Sequence, residues 1–536
     1  MKFLNQIGQL TCLTTQKIFS SAEIHAQIKL RLNSFQSLGL KKKDRVLIRY
    51  GNTAGFFIDL FALWSMGACA VPIDPTNPIS EVNDLAAHCQ ANYEIQTHNS
   101  DIICISNKLF FNEDEAQLIL YTSGTAAHPK AVLHSLERIE NKLKALKQNL
   151  NIEDFQRTLC ILPTHFGHGL IGNCLFPLLS GCHLFIGKPF DSLSAELVVD
   201  VIDKNNITFM SSVPSFWPFF KNVQHPQKKS LERLHCASAM FSVELYSQIK
   251  AWAPQAKIYN VYGLTEFASW VSGLEIKSDL ESNYLGKGWG AEFKIENSDD
   301  QGRGQVWIKS ESIMLGYFKI SNVVQAKEEW FYTGDIGIWD SELGLQIVGR
   351  SDDVINKGGF KIYPSEIEAV ISKNKSVEKI CVFSKITDEN DQNVIAAYVS
   401  RDSNLTTAEL ESWSRNYLPA YRIPNKWFKL SEIPTTLRGK VNFKLLRELC
   451  VEELIQINSE FDVSFDSAIR KTFNLGLEAD LAGLKYGAPS WDSIRHIDLF
   501  IQLQVLFKIS FAADEIVNTS NYLDLKIITK KKYELK

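Results

Sequence analysis

A large α/β unit, a small α+β unit and a terminal helical bundle make up the fold that this sequence predicts. From about residue 20 to about 350, helical patterns alternate with short apolar strands, which argues for layers built on a largely parallel sheet. Near residue 350 the texture changes to a charged turn, paired glycines, a short strand and a proline-led helix start. Roughly the last 80 residues hold helical patterns and no strong strand.

The elements follow in order. "EIHAQIKLRLNSFQSLG" reads as a helix feeding the strand "RVLIRY", and "TAGFFIDLFALWSMG" as a helix feeding "ACAVPI". The greasiest stretch, "FFIDLFALWSMGACAVPI", contains Asp59 and is interrupted by Gly67 and Pro72. It reads as a buried helix and strand, with no membrane span. In "GRSDDVINKGGFKIYPSEIEAVI", Pro364 lies near the first helical position and Glu366 in the first turn. "VEKICVFSKI" and "NVIAAYVS" are paired-strand candidates, and the small unit should end near Leu446. The expected boundaries are 1–350, 351–447 with a hinge near Asp352, a linker over 448–464, and a helical unit over 465–530.

The chain has 536 residues, too many for one core. Its 45% apolar and 22% charged content is that of a globular enzyme-like chain, and a net charge of −4 provides no basic field for nucleic acid. Ten cysteines are scattered singly with no C-x-x-C, so they read as apolar thiols of a reducing, cytoplasmic compartment, not as a disulfide frame or zinc site. The apolar start "MKFLNQIGQLTCL" is broken by Asn5, Gln6 and Gln9, unlike a signal peptide.

"YTSGTAAHPK", Tyr121 to Lys130, is the first stretch that looks like chemistry. Gly124 precedes Lys130 by the glycine-to-lysine interval of a Walker loop, but Pro129 stands where its second glycine belongs and Ala131 where its Mg²⁺-binding hydroxyl belongs. A Walker loop is excluded. A different anion-gripping loop remains, with Thr122, Ser123 and Thr125 offering hydroxyls and backbone N–H groups. The plain alternative is an ordinary strand-to-turn connection.

"VYGLTE" (261–266), "YTGDIG" (332–337), "GRSDDVINKGGFKIYPSEIE" (349–368) and "PTTLRGK" (434–440) follow in order. Together these stretches resemble the ordered motifs of the acyl-adenylate-forming enzymes: acyl-CoA synthetases, adenylation domains of peptide synthetases and luciferases. The resemblance covers roughly residues 20 to 450. Singly, Asp335 is a turn residue, Glu266 a helix-start carboxylate and Lys440 a solvated lysine; the ordered set is what carries weight.

The resemblance implies that ATP and a carboxylic acid react to give acyl-AMP, with Mg²⁺ as cofactor. Such chemistry brings two anions together and needs positioning and charge neutralisation. Thr122, Ser123, Gly124, Thr125 and Lys130 would hold the β- and γ-phosphates. Glu266 would supply an oxygen ligand for Mg²⁺, with Thr265 near the α-phosphate. Asp335 and Arg350 would bind the ribose, while Tyr262, Gly263 and the "ASAM" segment, Ala237 and Ser238 included, would meet the adenine. Lys440 would bridge the substrate carboxylate and the α-phosphate. One departure is notable: Ala126, Ala127 and Ala131 replace residues that are usually threonine, glycine and glycine, which should loosen the grip on phosphate.

The acyl pocket is expected between "LPTHFGHGLIG" and "YGLTEFASW", with His165, His168, Gly169 and Leu264 on its walls. For the two histidines the alternative is a hydrogen-bonded structural role. The aspartate that amino-acid-activating relatives place here is absent, which favours a plain carboxylic acid.

Finally, "GAPSWDSIRHIDLFIQLQVLFKISF" resembles the segment of acyl and peptidyl carrier proteins to which phosphopantetheine is attached, and Ser493 is the matching serine. Ile494, Ile497, Ile501 and Val505 give an apolar helical face behind it. The alternative is that Asp492 simply caps that helix. The expected protein is a ligase that loads its own carrier, itself modified by a phosphopantetheinyl transferase and serving a downstream acyl-accepting enzyme. An acyl-CoA synthetase with an inert tail and a non-catalytic carrier scaffold are the alternatives.

Overall fold

The computed structural model describes residues 2–98, 102–105, 115–122, 130–191, 195–238, 241–277, 284–318, 326–327, 329–357, 360–388, 391–435, 441–476, 481, 484–486, 491–512, 515–516, 519 and 521–534. The chain divides into two compact units, Met1–Ser351 and Asp352–Lys536.

Two large sheets organise the first unit. One runs in the order Ser269–Glu275, Lys257–Leu264, Arg233–Ala237, Phe209–Ser212, Arg157–Cys160, His183–Ile186, Leu10–Cys12 and Lys17–Phe19, parallel except at its two edges. The other runs Gly316–Tyr317, Ala131–His134, Leu118–Tyr121, Cys69–Pro72, Arg45–Ile48, Tyr93–Ile95 and Ile103–Cys104, with a parallel centre. An antiparallel five-stranded sheet over 292–350 completes the unit. Val46, Ile48 and Leu118 from one large sheet share an apolar cluster with Leu159, Leu184 and Phe185 from the other.

Local chemistry explains the helices between these strands. Helix Ser21–Ser37 opens on a capping box in which Ser20 and Glu23 satisfy each other's backbone N–H groups. Helix Ala54–Met66 is capped by Thr53 and ends at Gly67 in the left-handed region. Its Asp59 is fully buried yet paired, accepting from Arg31 Nε at 2.7 Å and from the Tyr50 hydroxyl. That pairing is why a carboxylate is tolerated in so apolar a helix. Among the described residues no helix is long and apolar enough to cross a membrane.

The second unit begins with a turn over Ser351–Asp353 and a small two-stranded ribbon, Ile355–Lys357 with Phe360–Ile362. Strands Val377–Asp388 and Asp391–Ser400 pair as the sequence suggests, with Lys426–Lys429 parallel to the second. Pro364 occupies the first position of helix Pro364–Ile371.

Residues 448–464 correct an expectation, since they form no linker. They lie inside one helix, Phe443–Phe473, capped by Asn442 and free of glycine and proline throughout. The terminal helices Ser493–Phe507 and Tyr522–Glu534 share a cluster of Phe461, Phe465, Ile469, Trp491, Leu503 and Leu525 with its C-terminal half. These helices are grouped with the second unit and do not separate as a third.

Candidate active site

Parallel sheets place ligands at the C-terminal ends of their strands, where backbone groups are free to turn outward. Strands Arg233–Ala237 and Lys257–Leu264 are neighbours, with Ala237 opposite Val261, so Ala237 and Ser238 emerge beside Tyr262. Ser238 has φ 76°, a left-handed backbone that costs a serine about 1 kcal/mol or more. Ala239 and Met240 lie outside the described residues.

Tyr262 links this edge to the antiparallel sheet. Its hydroxyl donates to Asp335 Oδ2, while Arg350 Nη1 donates to Asp335 Oδ1 at 2.7 Å. Strand register makes the second pair, since Trp330–Asp340 and Gly344–Arg350 run antiparallel with Asp335 opposite Arg350. Thr333 Oγ1 accepts from the Asp335 backbone N–H at 3.0 Å. Between them Gly334 has φ 78°, and a Cβ there would lie 3.2 Å from Arg350 Nη2. Burial and the adjacent Asp335 carboxylate both push the Tyr262 phenol well above its ordinary pKa, so it stays protonated as a donor.

Glu266 follows in the same chain stretch. Its Oε1 accepts from Tyr317 Oη at 2.6 Å, and its backbone carbonyl accepts from Met314 N at 2.7 Å. Lys130 Nζ stands 4.9 Å from the centre of the Tyr317 ring. Tyr317 therefore bridges the lysine and the carboxylate, a role the sequence does not announce. It arrives because Gly316–Tyr317 pairs antiparallel with Ala131–His134, the strand that follows Lys130. The anion loop is anchored at its base by Thr122 N donating to Lys130 O at 3.0 Å. Ser123, Gly124, Thr125, Ala126 and Ala127 lie outside the described residues, as does Lys440.

The proposed acyl wall is different in character. His168 begins a stretch of π-helix, with Nε2 2.7 Å from Ser211 Oγ and Nδ1 3.4 Å from Ser238 Oγ. Burial lowers its pKa to about 4, so the ring is neutral. His165 Nε2 lies 3.5 Å from Asp74 Oδ2. Gly169 is packed so that a Cβ would fall 2.2 Å from the Pro163 carbonyl. Leu264 is half-buried at the end of its strand, and Gly263, one residue earlier, is exposed where the register shifts against Ser269–Glu275. Thr265 opens the short turn Thr265–Phe267.

Asp352 is exposed in the turn that opens the second unit. Ser493 is the first residue of its helix, and Asp492 caps that helix by accepting from Arg495 N at 2.9 Å. The apolar face expected behind Ser493 is not the packed one. Leu499, Phe500, Leu503 and Phe507 are buried, whereas Ile497, Ile501 and Val505 are 58%, 52% and 74% exposed. The helix is apolar on two sides, and only one of them meets the core.

Among the described residues no three His, Cys, Asp or Glu side chains gather as a metal site. The single carboxylate of Glu266 suits Mg²⁺, which keeps water and substrate phosphates as most of its ligands.

A family model described as AMP-binding enzyme matches residues 9–109 and 110–318, and one described as AMP-binding enzyme C-terminal domain matches 366–440. The chain is 30% identical over 344 residues to a 2-succinylbenzoate–CoA ligase of Staphylococcus epidermidis, covering 63% of this chain and 70% of that one. It is 25% identical over 390 residues to an oxalate–CoA ligase of Arabidopsis thaliana, covering 70% and 76%. In fold it matches the o-succinylbenzoate coenzyme A synthetase of Bacillus subtilis solved with ATP and magnesium, with a TM-score of 0.70, 21% identity, and coverage of 81% and 95%.

Proposed function

The chain belongs to the AMP-binding enzyme family and is an acid–thiol ligase of the adenylate-forming kind, and we propose that it activates a small, plain carboxylic acid with MgATP and passes the acyl group to coenzyme A. The observation that carries this reading is the pair of ionic assemblies, Lys130–Tyr317–Glu266 and Tyr262–Asp335–Arg350, within one unit. One is suited to polyphosphate and the other to a sugar. Relatives named as oxalate and 2-succinylbenzoate ligases of CoA support the acid and the thiol.

In this reading Asp335 receives the ribose. Each of its oxygens already accepts one hydrogen bond, and a carboxylate oxygen retains a second lone pair for a sugar hydroxyl. Arg350 and Tyr262 orient it. Lys130 and Thr122, with the loop between them, bind the phosphates that leave as pyrophosphate. Bound Mg²⁺, held by Glu266, would neutralise phosphate charge during attack by the carboxylate. Tyr317 fixes the Glu266 carboxylate by donating to one oxygen, leaving the other for the ion. Lys440 would supply the charge wanted at the α-phosphate, and Asp352 would serve as a hinge.

A second reading has one observation in its favour. The helix that begins at Ser493 is capped by Asp492 and presents Ile497, Ile501 and Val505 to solvent, as a tethered acceptor that must dock elsewhere would. In that reading the thiol is phosphopantetheine on Ser493, attached by a phosphopantetheinyl transferase, and the loaded chain serves a downstream acyl-accepting enzyme.

The test offers the chain oxalate, malonate, benzoate and 2-succinylbenzoate with MgATP, and measures acid-dependent exchange of pyrophosphate into ATP. Release of acyl-CoA on adding CoA is the expected result. Intact mass after treatment with a phosphopantetheinyl transferase decides the second reading. A wild-type chain that gains the prosthetic group and then the acyl mass, while Ser493→Ala gains neither, would replace CoA as the acceptor.

A further inference from the structure

The turn that carries Glu266 is bent in a way that its own residues do not favour. Ala268 has φ 55° and Ser269 φ 119°, two consecutive non-glycine residues in the left-handed region. Such backbone costs on the order of 1 kcal/mol or more per residue and persists only where the surroundings hold it. Two side chains reach its backbone. His134 Nε2 lies 2.8 Å from the Thr265 carbonyl, and Lys142 Nζ donates to the Trp270 carbonyl at 2.7 Å.

Both side chains are fully buried. A carbonyl only accepts, so the His134 proton sits on Nε2, and Nδ1 is left without a partner among the described residues. Lys142 sits in the buried row Leu136, Ile139, Lys142 and Leu146 of helix Leu136–Asn149, and it forms no ion pair among the described residues. Burial lowers the Lys142 pKa to about 7 and that of His134 to about 4, because desolvation disfavours the charged form of each. A leucine would suit that layer better and would leave the carbonyl of Trp270 without this donor.

We propose that His134 and Lys142 are positioning residues for adenylate formation: they pin the two ends of the Thr265–Trp270 turn to the segment that begins at Lys130, and so set Glu266 against Lys130. The connection is short and covalent on one side. Lys130 leads directly into strand Ala131–His134, and helix Leu136–Asn149 follows at once. Tyr317, paired to the same strand, closes the other side by bonding Glu266. With either clamp released, the strained turn relaxes and the carboxylate shifts relative to the lysine.

The inference rests on the assignment of adenylate formation to this site, and the experiment separates the two. Full-length wild type, Lys142→Met, Lys142→Gln, His134→Leu and His134→Gln are compared in pyrophosphate exchange with the best acid of the panel, over a range of Mg²⁺. Lys142→Met and His134→Leu should lose about 10-fold or more in kcat, since a misplacement near 1 Å can cost 10²-fold. Half-saturating Mg²⁺ should rise by about fivefold or more while the KM for the acid stays within about twofold. His134→Gln, whose amide nitrogen can replace Nε2, should keep more than about half the rate, and Lys142→Gln should fall between wild type and Lys142→Met. Folded Lys142→Met and His134→Leu proteins with wild-type kcat and Mg²⁺ dependence would overturn the proposal. If Lys142→Met does not fold, equal rates for His134→Leu and His134→Gln overturn it instead. Absence of exchange in the wild type overturns the functional reading, and this inference with it.

Discussion

The proposed nucleotide side and the proposed acyl side of the candidate site are built from opposite materials. On the first, charges are paired and locked: Arg350 and Tyr262 on Asp335, Tyr317 on Glu266, Lys130 over the Tyr317 ring. On the second, His168 is a neutral ring between two serine hydroxyls, and His165 Nε2 lies 3.5 Å from Asp74 Oδ2. The contrast follows from the chemistry. Attack of a carboxylate on a phosphate generates charge in the same place whatever the acid, so preorganised ionic groups are useful there. Recognition of the acid's remainder rests on hydrogen bonds and shape, which neutral groups supply without a large desolvation cost.

The sharpest way to break that contrast is to neutralise the first side. Glu266→Gln keeps an oxygen for Tyr317 but removes the charge, and acid-dependent exchange should fall by ~10²-fold, roughly 2.7 kcal/mol of transition-state stabilisation. A loss below about threefold would mean that the ionic wall is structural. A smaller effect belongs to binding. Asp335→Ala should raise the KM for ATP by ~10-fold, as expected for loss of charge-assisted hydrogen bonds to two hydroxyls. In that variant 2′,3′-dideoxy-ATP should lose most of its disadvantage; a wild-type preference for the ribose hydroxyls would remove Asp335 from the sugar.

The same division explains what was legible beforehand. Lys130, Thr265, Glu266, Asp335 and Arg350 stand in contiguous motifs that single them out as an ordered set through the resemblance, and the strand register brings Asp335 and Arg350 together. Tyr317 could not be read, because its partner Glu266 is 51 residues away and a two-residue strand makes the meeting. Lys142 left a trace that was available. It occupies the helical row of Ile139 and Leu146, where a solvated lysine does not belong. The linker expected over 448–464 lies inside the helix Phe443–Phe473, which no glycine or proline interrupts. A change of hydrophobic neighbours along a helix, from the Leu446 and Cys450 cluster to the Phe461 and Phe465 cluster, looks in sequence like a change of element.

The mildest test concerns His168 and separates the walls by pH. Its folded pKa, lowered by burial to about 4, is below the ordinary histidine value of about 6.5 that the unfolded chain would show. As pH falls, the unfolded state takes up the proton first, so the stability this ring contributes is complete above about 6.5 and is lost progressively toward about 4. His134 and His183 shift in the same direction for the same first cause, burial. The melting temperature should therefore decline on acidification through that window, and His168→Gln should decline less steeply. Above about pH 6.5 the ring is neutral in both states, so His168 should add no inflection to the rate profile there. If it lines the acyl wall, His168→Gln should change the KM for the acid by about fivefold, near 1 kcal/mol for one hydrogen bond, and leave the KM for ATP within about twofold. Equal shifts in both constants would show that the two proposed walls are coupled, and the contrast between them would fail at His168, whose ring nitrogens face Ser211 and Ser238.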